Sequence, residues 1–430
     1  MPSGPIQQSD LSDHKVDAAS IRAAHSLIAP FIVDTPVIRS ATFSDIAQCQ
    51  VLFKLENLQM TGSFKDRGGI NKLLSLTPAE RQRGVIAASA GNHAQSVAYH
   101  CKRLGISAKI VMPKHSPLVK IRATRYWGAE VILEGETFDD AFNYSQQLVA
   151  QENRLYLHPF DDPYVIEGQG TMGVEILAHA LCQDLDAILI PVGGGGLIAG
   201  LATFIKQTRP EIQIIGVEES SCNAMAQSRQ AGHVVELAPQ PIIADGIAVR
   251  KVSPRNLNSV MKYVDDMVSV TSDEIANAIM LTMEIEKIVI EGAAAVTVAA
   301  LMNHRLPALQ TSSGKFGSGG FGSGKKVLSI LCGGNIDVSL LSRIINRGMA
   351  FDGRVFEFEL VLMDRPGSLE SILGLFRESG ANVLEVNHHR YASHAPIGQI
   401  AVSVTAETRD QAHIDALKRV IETHSPAHLR

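Results

Sequence analysis

The chain has 430 residues, 45% of them apolar and 19% charged, enough to build more than one hydrophobic core, and the length points to two or three domains. A formal net charge of −5 gives no basis for a nucleic-acid or anionic membrane surface, and no window approaches the ~20 apolar residues of a transmembrane helix. The polar stretch Met1 to Asp13 lacks the apolar core of a signal peptide, and Cys49, Cys101, Cys182, Cys222 and Cys332 are scattered without a CxxC pair, so neither a disulfide framework nor a zinc site is indicated and a reducing, cytoplasmic compartment fits.

Residues 1–15 read as a loose tail, and 18–28 as a helix ending before Pro30. From there to about residue 340, short apolar runs alternate with longer helical patterns. Strands are expected at 51–55, 85–88, 108–112, 130–133, 187–190, 212–217 and 327–331. Runs apolar on both faces and separated by helices predict an α/β fold with parallel sheets. Ligands in such sheets bind beyond the carboxyl ends of the strands, and each motif below follows a strand.

The first is Gly62-Ser63-Phe64-Lys65-Asp66-Arg67, which runs from strand 51–55 into a helix with Ile70, Leu73 and Leu74 on one face. Ser63 is placed to cap that helix, whose N-terminus favours a neutral amine at Lys65. A lysine with a depressed pKa attacks a carbonyl to form a Schiff base, although a lone lysine is more often a solvated surface side chain. Ser89-Ala90-Gly91-Asn92-His93-Ala94-Gln95 follows strand 85–88. Its small residues at a helix start expose N–H groups that suit a carboxylate, and Asn92 is placed to meet a ring hydroxyl or a carboxylate. An ordinary capped turn would look the same.

Four consecutive glycines, Gly193 to Gly196, precede Leu197 after strand 187–190. Ordering them costs conformational entropy, and a loop whose N–H groups converge on a phosphate supplies a reason. No Lys-Ser/Thr follows and the Rossmann spacing is absent, so this is not a nucleotide loop. Cys332-Gly333-Gly334-Asn335 ends strand 327–331, where Cys332 is either a pocket side chain or a small buried core residue. Residues 307–326 form a Gly/Ser-rich insert, expected to be a disordered loop.

After about residue 350 the pattern changes. Phe356, Phe358, Leu360 and Leu362 alternate with Glu357 and Glu359 as in a half-buried strand. Asp364-Arg365-Pro366-Gly367 starts a helix with Pro366 at N1, and Gly380 stops it. Strands at 382–388 and 399–405 and a helix capped by a Thr408–Gln411 box complete most of a ferredoxin-like α+β unit.

Together GSFKDRG, SAGNHAQ, HPFDD, EGQGT, PVGGGGL, IADGIAV and CGGN resemble the fold-type II pyridoxal-phosphate enzymes (tryptophan synthase β-like), over roughly residues 18–350 and in their order and spacing. The branch they most resemble is threonine dehydratase, or threonine ammonia-lyase. Asp364 to Leu369 and Gly380 to Val383 resemble an ACT domain, a module that often binds amino acids. The resemblance implies a catalytic part over 16–345, with a small subdomain at about 53–155 inserted, and an ACT-like part over 346–430. It implies pyridoxal 5′-phosphate on Lys65, with Phe64 beside it and Gly193, Gly194, Gly195, Gly196 and Leu197 on the phosphate. Asn92 would meet the ring hydroxyl, Cys332 would stand where the family often has a serine beside the pyridine nitrogen, and Ser89, Gly91, Asn92 and His93 would take the substrate carboxylate. Glu291 matches a position near the active site, with a buried structural role equally open.

The implied reaction is β-elimination on L-threonine, and on L-serine, to a 2-oxo acid and ammonia. A serine racemase or hydroxyaspartate dehydratase is the related alternative. Family members that racemise carry a serine at Ala90 and an acidic metal ligand at Ala224, so elimination is favoured. A non-catalytic amino-acid sensor is the alternative of another class, against which Lys65 and the glycine loop argue. The ACT resemblance implies an effector, isoleucine first with valine as antagonist, near Asp364, Pro366, Gly367 and Leu369, or else a module that only joins subunits. Homodimers or homotetramers are the family's usual assemblies.

Overall fold

In the computed structural model the structure describes residues 14–306, 324–389, 395–423 and 428–429. The expected tail at 1–15 and Gly/Ser insert at 307–326 lie almost wholly outside them. The chain divides into two compact units, Met1–Asp337 and Val338–Arg430. The expected boundary at 345/346 falls inside the helix Val338–Phe351, which belongs to the second unit. Among the described residues no helix is long and apolar enough to cross a membrane.

In chain order the strands of the first unit are β1 (Val37–Ser40), β2 (Gln50–Lys54), β3 (Val85–Ala88), β4 (Ala108–Met112), β5 (Glu130–Leu133), β6 (Leu155–Tyr156), β7 (Ala187–Pro191), β8 (Gln213–Glu219), β9 (Asp266–Val270) and β10 (Lys326–Ile330). One sheet has the order β1-β2-β10-β7-β8-β9, the other β5-β4-β3-β6. The second sheet is interposed between β2 and β7 of the first. All pairings are parallel except β1 with β2, which is antiparallel. The expected α/β fold with parallel sheets is seen, with β1 as an antiparallel edge strand. β1, a four-residue edge strand just after Pro36, the two-residue β6 and the half-buried β9 are additions to the expected strands. β7 is buried along its whole length, as a run apolar on both faces requires.

Close helix contacts fix the helix Lys65–Leu74. A Cβ on Gly168 would lie 2.5 Å from the Arg67 carbonyl oxygen, and one on Gly68 2.8 Å from that of Val165. The glycines of EGQGT therefore let the helix Pro163–Ala178 approach backbone to backbone. Beside this contact Arg67, fully buried, is gripped by Glu56 at 2.7 and 2.8 Å and by Glu175 at 2.6 and 2.7 Å. Lys54 reaches the same Glu175 at 2.6 Å.

The second unit contains β11 (Val355–Met363), β12 (Asn382–His389), β13 (Gln399–Glu407) and β14 (His428–Leu429) in the order β12-β13-β11-β14, all antiparallel. Phe358, Leu360, Leu362, Val402 and Val404 form a core with Ile372 and Phe376 of the helix Ser368–Ser379 and Ile414, Leu417 and Ile421 of the helix Gln411–Thr423. The β-α-β-β-α order is the expected ferredoxin-like one. Two helix starts differ from expectation. Gly367, at φ 87°, is the N-cap residue, so Pro366 precedes the helix instead of occupying N1. Thr408 Oγ1 donates to Gly353 O at 2.6 Å, and it is Asp410 that accepts the His413 N–H at 2.7 Å, so no Thr408–Gln411 box forms. Gly380, at φ 81°, ends its helix as expected.

Candidate active site

β2 and β10 are parallel neighbours, so the loops leaving their carboxyl ends meet. Phe64 N–H donates to Cys332 O at 2.9 Å, Gly334 N–H to Gly62 O at 2.9 Å and Asn57 N–H to Leu331 O at 3.0 Å. This lacing sets Lys65, the first residue of its helix, beside the end of β10. The expected Ser63 cap is not made: among the described residues the buried Ser63 hydroxyl has no hydrogen-bond partner. The loop is instead tied by Asp66, which accepts from Thr61 N–H at 2.9 Å and Thr61 Oγ1 at 2.7 Å.

Lys65 Nζ donates to Pro159 O at 2.8 Å and lies 5.1 Å from the centre of the Phe64 ring. Burial lowers its pKa to about 8, against smaller upward pulls from Cys332 and Glu291. Burial and then Glu291 hold the Cys332 thiol well above its usual range. At neutral pH that side chain is therefore a protonated, uncharged group.

The glycine loop sits where three neighbouring residues leave no room for side chains. A Cβ on Gly193 would lie 2.9 Å from Ile247 Cα, on Gly194 2.4 Å from the Phe160 ring, on Gly195 2.5 Å from Met225 Cε and on Gly196 2.9 Å from Phe160 O. Gly195 also has φ 87°. Asn256 Nδ2 pins the loop by donating to Gly194 O at 2.7 Å and Phe160 O at 3.0 Å. Among the described residues no hydrogen bond uses the N–H of Gly193, Gly194 or Gly195, which precede the first turn of the helix Gly196–Thr208. Convergent, unspent donors at a helix start are what an anion requires. Sequence reasoning missed Asn256 and Phe160. HPFDD was legible only as a motif, and its Pro159 and Phe160 turn out to hold Lys65 and pack the loop.

Asn92 begins the helix Asn92–Leu104, with Gly91 as its N-cap residue. Ser89 Oγ accepts the Gly91 N–H at 3.2 Å. The first intrahelical bond runs from Gln95 N–H, so those of Asn92, His93 and Ala94 have no partner within the helix. The His93 ring is turned away from this turn into the core. It bonds Leu157 O at 2.9 Å, and burial, with Lys65 next, lowers its pKa to about 3. His93 thus offers a ligand its main-chain N–H and not its imidazole. Asn92 Nδ2 donates to Glu291 Oε1 at 2.7 Å, and Asn92 Oδ1 accepts from Asn335 Nδ2 at 2.8 Å. Lys65, Asn92, Cys332 and Glu291 therefore belong to one crevice.

In the second unit, Asp364, Pro366 and Gly367 form an exposed turn between β11 and the helix Ser368–Ser379, while Leu369 packs on the core. The space around Gly367 is open.

The family model described as "Pyridoxal-phosphate dependent enzyme" matches residues 28–333. The L-threonine ammonia-lyase of Thermotoga maritima is 43% identical over 401 residues, 93% of this chain and 96% of that protein. Among solved structures, the processed form of threonine deaminase isoform 2 from Solanum lycopersicum superposes with a TM-score of 0.69 and 34% identity, covering 79% of this chain and 94% of the other. Maize serine racemase superposes with a TM-score of 0.71 and 30% identity, covering 78% of this chain and 99% of its own. With that match spanning the lysine, the glycine loop and the end of β10, the chain belongs to the family of pyridoxal-phosphate-dependent enzymes.

Proposed function

We propose that the chain is a threonine ammonia-lyase, converting L-threonine to 2-oxobutyrate and ammonium and L-serine to pyruvate. The observation that carries this reading is the Lys65 amine, depressed to a pKa of about 8, in one unit with a loop of unspent N–H groups at Gly193 to Gly195. Its support from outside is the name carried by a relative that is 43% identical over most of both chains.

The residues present fit pyridoxal 5′-phosphate. Gly193 to Gly196 and Leu197 would hold its phosphate by main-chain N–H groups, and the absence of side chains there leaves the room. Asn92 would meet the ring hydroxyl. Cys332 would stand at the pyridine nitrogen as a neutral thiol, a weaker hydrogen-bond partner than a hydroxyl. Phe64 would flank Lys65. Bound through Lys65, the cofactor supplies an electron sink that makes the Cα proton of an amino acid removable. Ser89, Gly91, Asn92 and His93 would fix the substrate carboxylate, the last through its N–H. Once the amine of the substrate has displaced it from the cofactor, the freed Lys65 amine, with about a tenth of it neutral at pH 7, would take the Cα proton. Water leaves across Cα–Cβ, and hydrolysis of the released enamine takes up water again. One threonine therefore yields one 2-oxobutyrate and one ammonium with no net oxidation. Racemisation would need a second acid–base group on the opposite face of Cα, and Ala90 supplies none. Lys65→Ala is expected to lose both the Schiff-base absorbance and nearly all ammonia release, and retention of both would overturn the reading. Comparing threonine, serine and 3-hydroxyaspartate as substrates fixes the preference.

The second unit, by its β-α-β-β-α order, supports an ACT-type regulatory role, with isoleucine as inhibitor and valine as antagonist at the Asp364–Leu369 turn. In that role the enzyme serves isoleucine biosynthesis in the cytoplasm as a homodimer or homotetramer. Any coupling is reciprocal: an effector that weakens substrate binding is itself weakened by substrate. Steady-state kinetics of the full chain and of a truncation ending at Asp337 test this. No response of the full chain to isoleucine, valine or other amino acids, with truncation only dissociating the oligomer, would leave the unit as a subunit connector.

A further inference from the structure

Glu291 stands at the N-cap position of the helix Gly292–Met302, yet its side chain makes no capping bond there. It crosses instead to Asn92, 199 positions away in the chain. Gly333, beyond the end of β10, makes room for it, and Gly246 lies alongside. A Cβ on Gly333 would lie 2.4 Å from Glu291 Oε1, and one on Gly246 would lie 3.4 Å from the same oxygen. The carboxyl is 3% exposed. Burying a carboxyl without function is costly, and here the surroundings are shaped around it.

The Asn92 amide is held from both ends. Asn335 Nδ2 donates to its oxygen at 2.8 Å and also to Thr61 O at 2.6 Å, so Asn335 cannot itself turn without breaking a second bond. The Asn92 Nδ2 donates to Glu291, an acceptor at that oxygen in either protonation state. Turning the Asn92 amide over would set donor against donor and acceptor against acceptor. One N–H of Nδ2 then remains, with its direction fixed by the other. Burial first, and then Asp245, raise the Glu291 pKa to about 7, while the hydrogen bond from Asn92 and then the charge of Lys120 oppose the rise. Both forms of the carboxyl therefore occur near neutral pH, and the bond from Asn92 survives in each.

We propose that Glu291 is a positioning residue that fixes the side-chain amide of Asn92 so that its remaining N–H faces the ring hydroxyl of the cofactor, an inference that rests on the cofactor placement above. It acts through Asn92 and not as a charge. Removing it frees the amide to turn, and the ring hydroxyl loses its donor.

The test titrates the full-length apoprotein with pyridoxal 5′-phosphate by fluorescence and records the absorption spectrum of the bound cofactor. Glu291→Ala should weaken binding roughly ten- to a hundredfold, the range of a hydrogen bond to a charged group, and shift the spectrum toward the form with a neutral ring hydroxyl. Glu291→Gln keeps an acceptor and should stay within about threefold of wild type with an unshifted spectrum. In an Asn92→Ala background, Glu291→Ala should add less than about a twofold further loss, because the two act as one unit. Glu291→Leu, which fills the space without an acceptor, carries the same comparison if the alanine variant does not fold. Binding and spectrum unchanged in Glu291→Ala, Gln as damaging as Ala, or additive losses with Asn92→Ala would each overturn the proposal. Failure of the wild type to bind the cofactor would instead overturn the cofactor placement.

Discussion

Arg67→Met exposes what the buried charges near Lys65 do. Arg67 is 0% exposed and its three guanidinium nitrogens all bond Glu56 or Glu175, within 2.8 Å. Methionine fills similar space without charge. Glu175 would keep Lys54 at 2.6 Å, but Glu56 would keep only Thr35 Oγ1 at 2.5 Å and Gln59 Nε2 at 3.4 Å. Breaking a buried pair by removing one partner costs about 3–5 kcal/mol. At about 2.1 cal/mol/K per residue, a unit ending at Asp337 loses about 1.4 °C per kcal/mol, so its transition should fall by about 4–7 °C. The loss depends on pH. A buried Glu56 without its cation has a folded pKa raised above the ~4.3 of the unfolded chain. Between those two values the folded chain holds a proton that the unfolded chain lacks, so stability falls as pH rises, by up to ~1.4 kcal/mol per unit. The deficit against wild type is therefore smallest near pH 4 and grows toward neutrality. Calorimetry of the full chain at pH 5 and pH 7.5 reads both features, and adding Glu56→Gln should recover part of the loss. A deficit below about 1 kcal/mol at pH 7.5, or one independent of pH, would refute the reasoning.

Three further outcomes are expected. The rate of covalent cofactor uptake by the apoprotein should climb about tenfold per pH unit and level off near the Lys65 pKa of about 8, and a rate still climbing at pH 10 would mean an ordinary lysine. The His93 imidazole, with its pKa lowered to about 3, should show no titration in NMR spectra between pH 5 and pH 9. Gly194→Ala places a Cβ 2.4 Å from a Phe160 ring whose backbone Asn256 restrains. It should cost about 1–3 kcal/mol in urea unfolding and weaken cofactor binding at least about tenfold, and neither change would be seen if the loop yields freely.

The parts of the site that lie within one strand–turn–helix were legible in the chain. Lys65, Asn92 and the glycine loop each follow a run of β-forming residues and open a helix, and local spacing carries that much. Four glycines in a row announce a loop with no room for side chains, although not what crowds it. Single bonds at element starts were less legible. Ser63 and Thr408 are both good capping residues by type, yet one is left unpartnered and the other is drawn to Gly353. Local propensity cannot weigh a competing partner that only folding brings close.

The sequence by itself determined the alternation of strands and helices, the placement of Lys65 at a strand-to-helix turn, the glycine loop and the change to a β-α-β-β-α unit, because each is written in neighbouring residues. Only the tertiary structure decided which distant residues meet. The pairing of β2 with β10 puts Cys332 beside Lys65. The room left by Gly333 lets Glu291 reach Asn92. The Arg67 cluster draws on Lys54, Glu56 and Glu175. Those contacts depend on strand register and close packing across hundreds of residues, which no local period encodes.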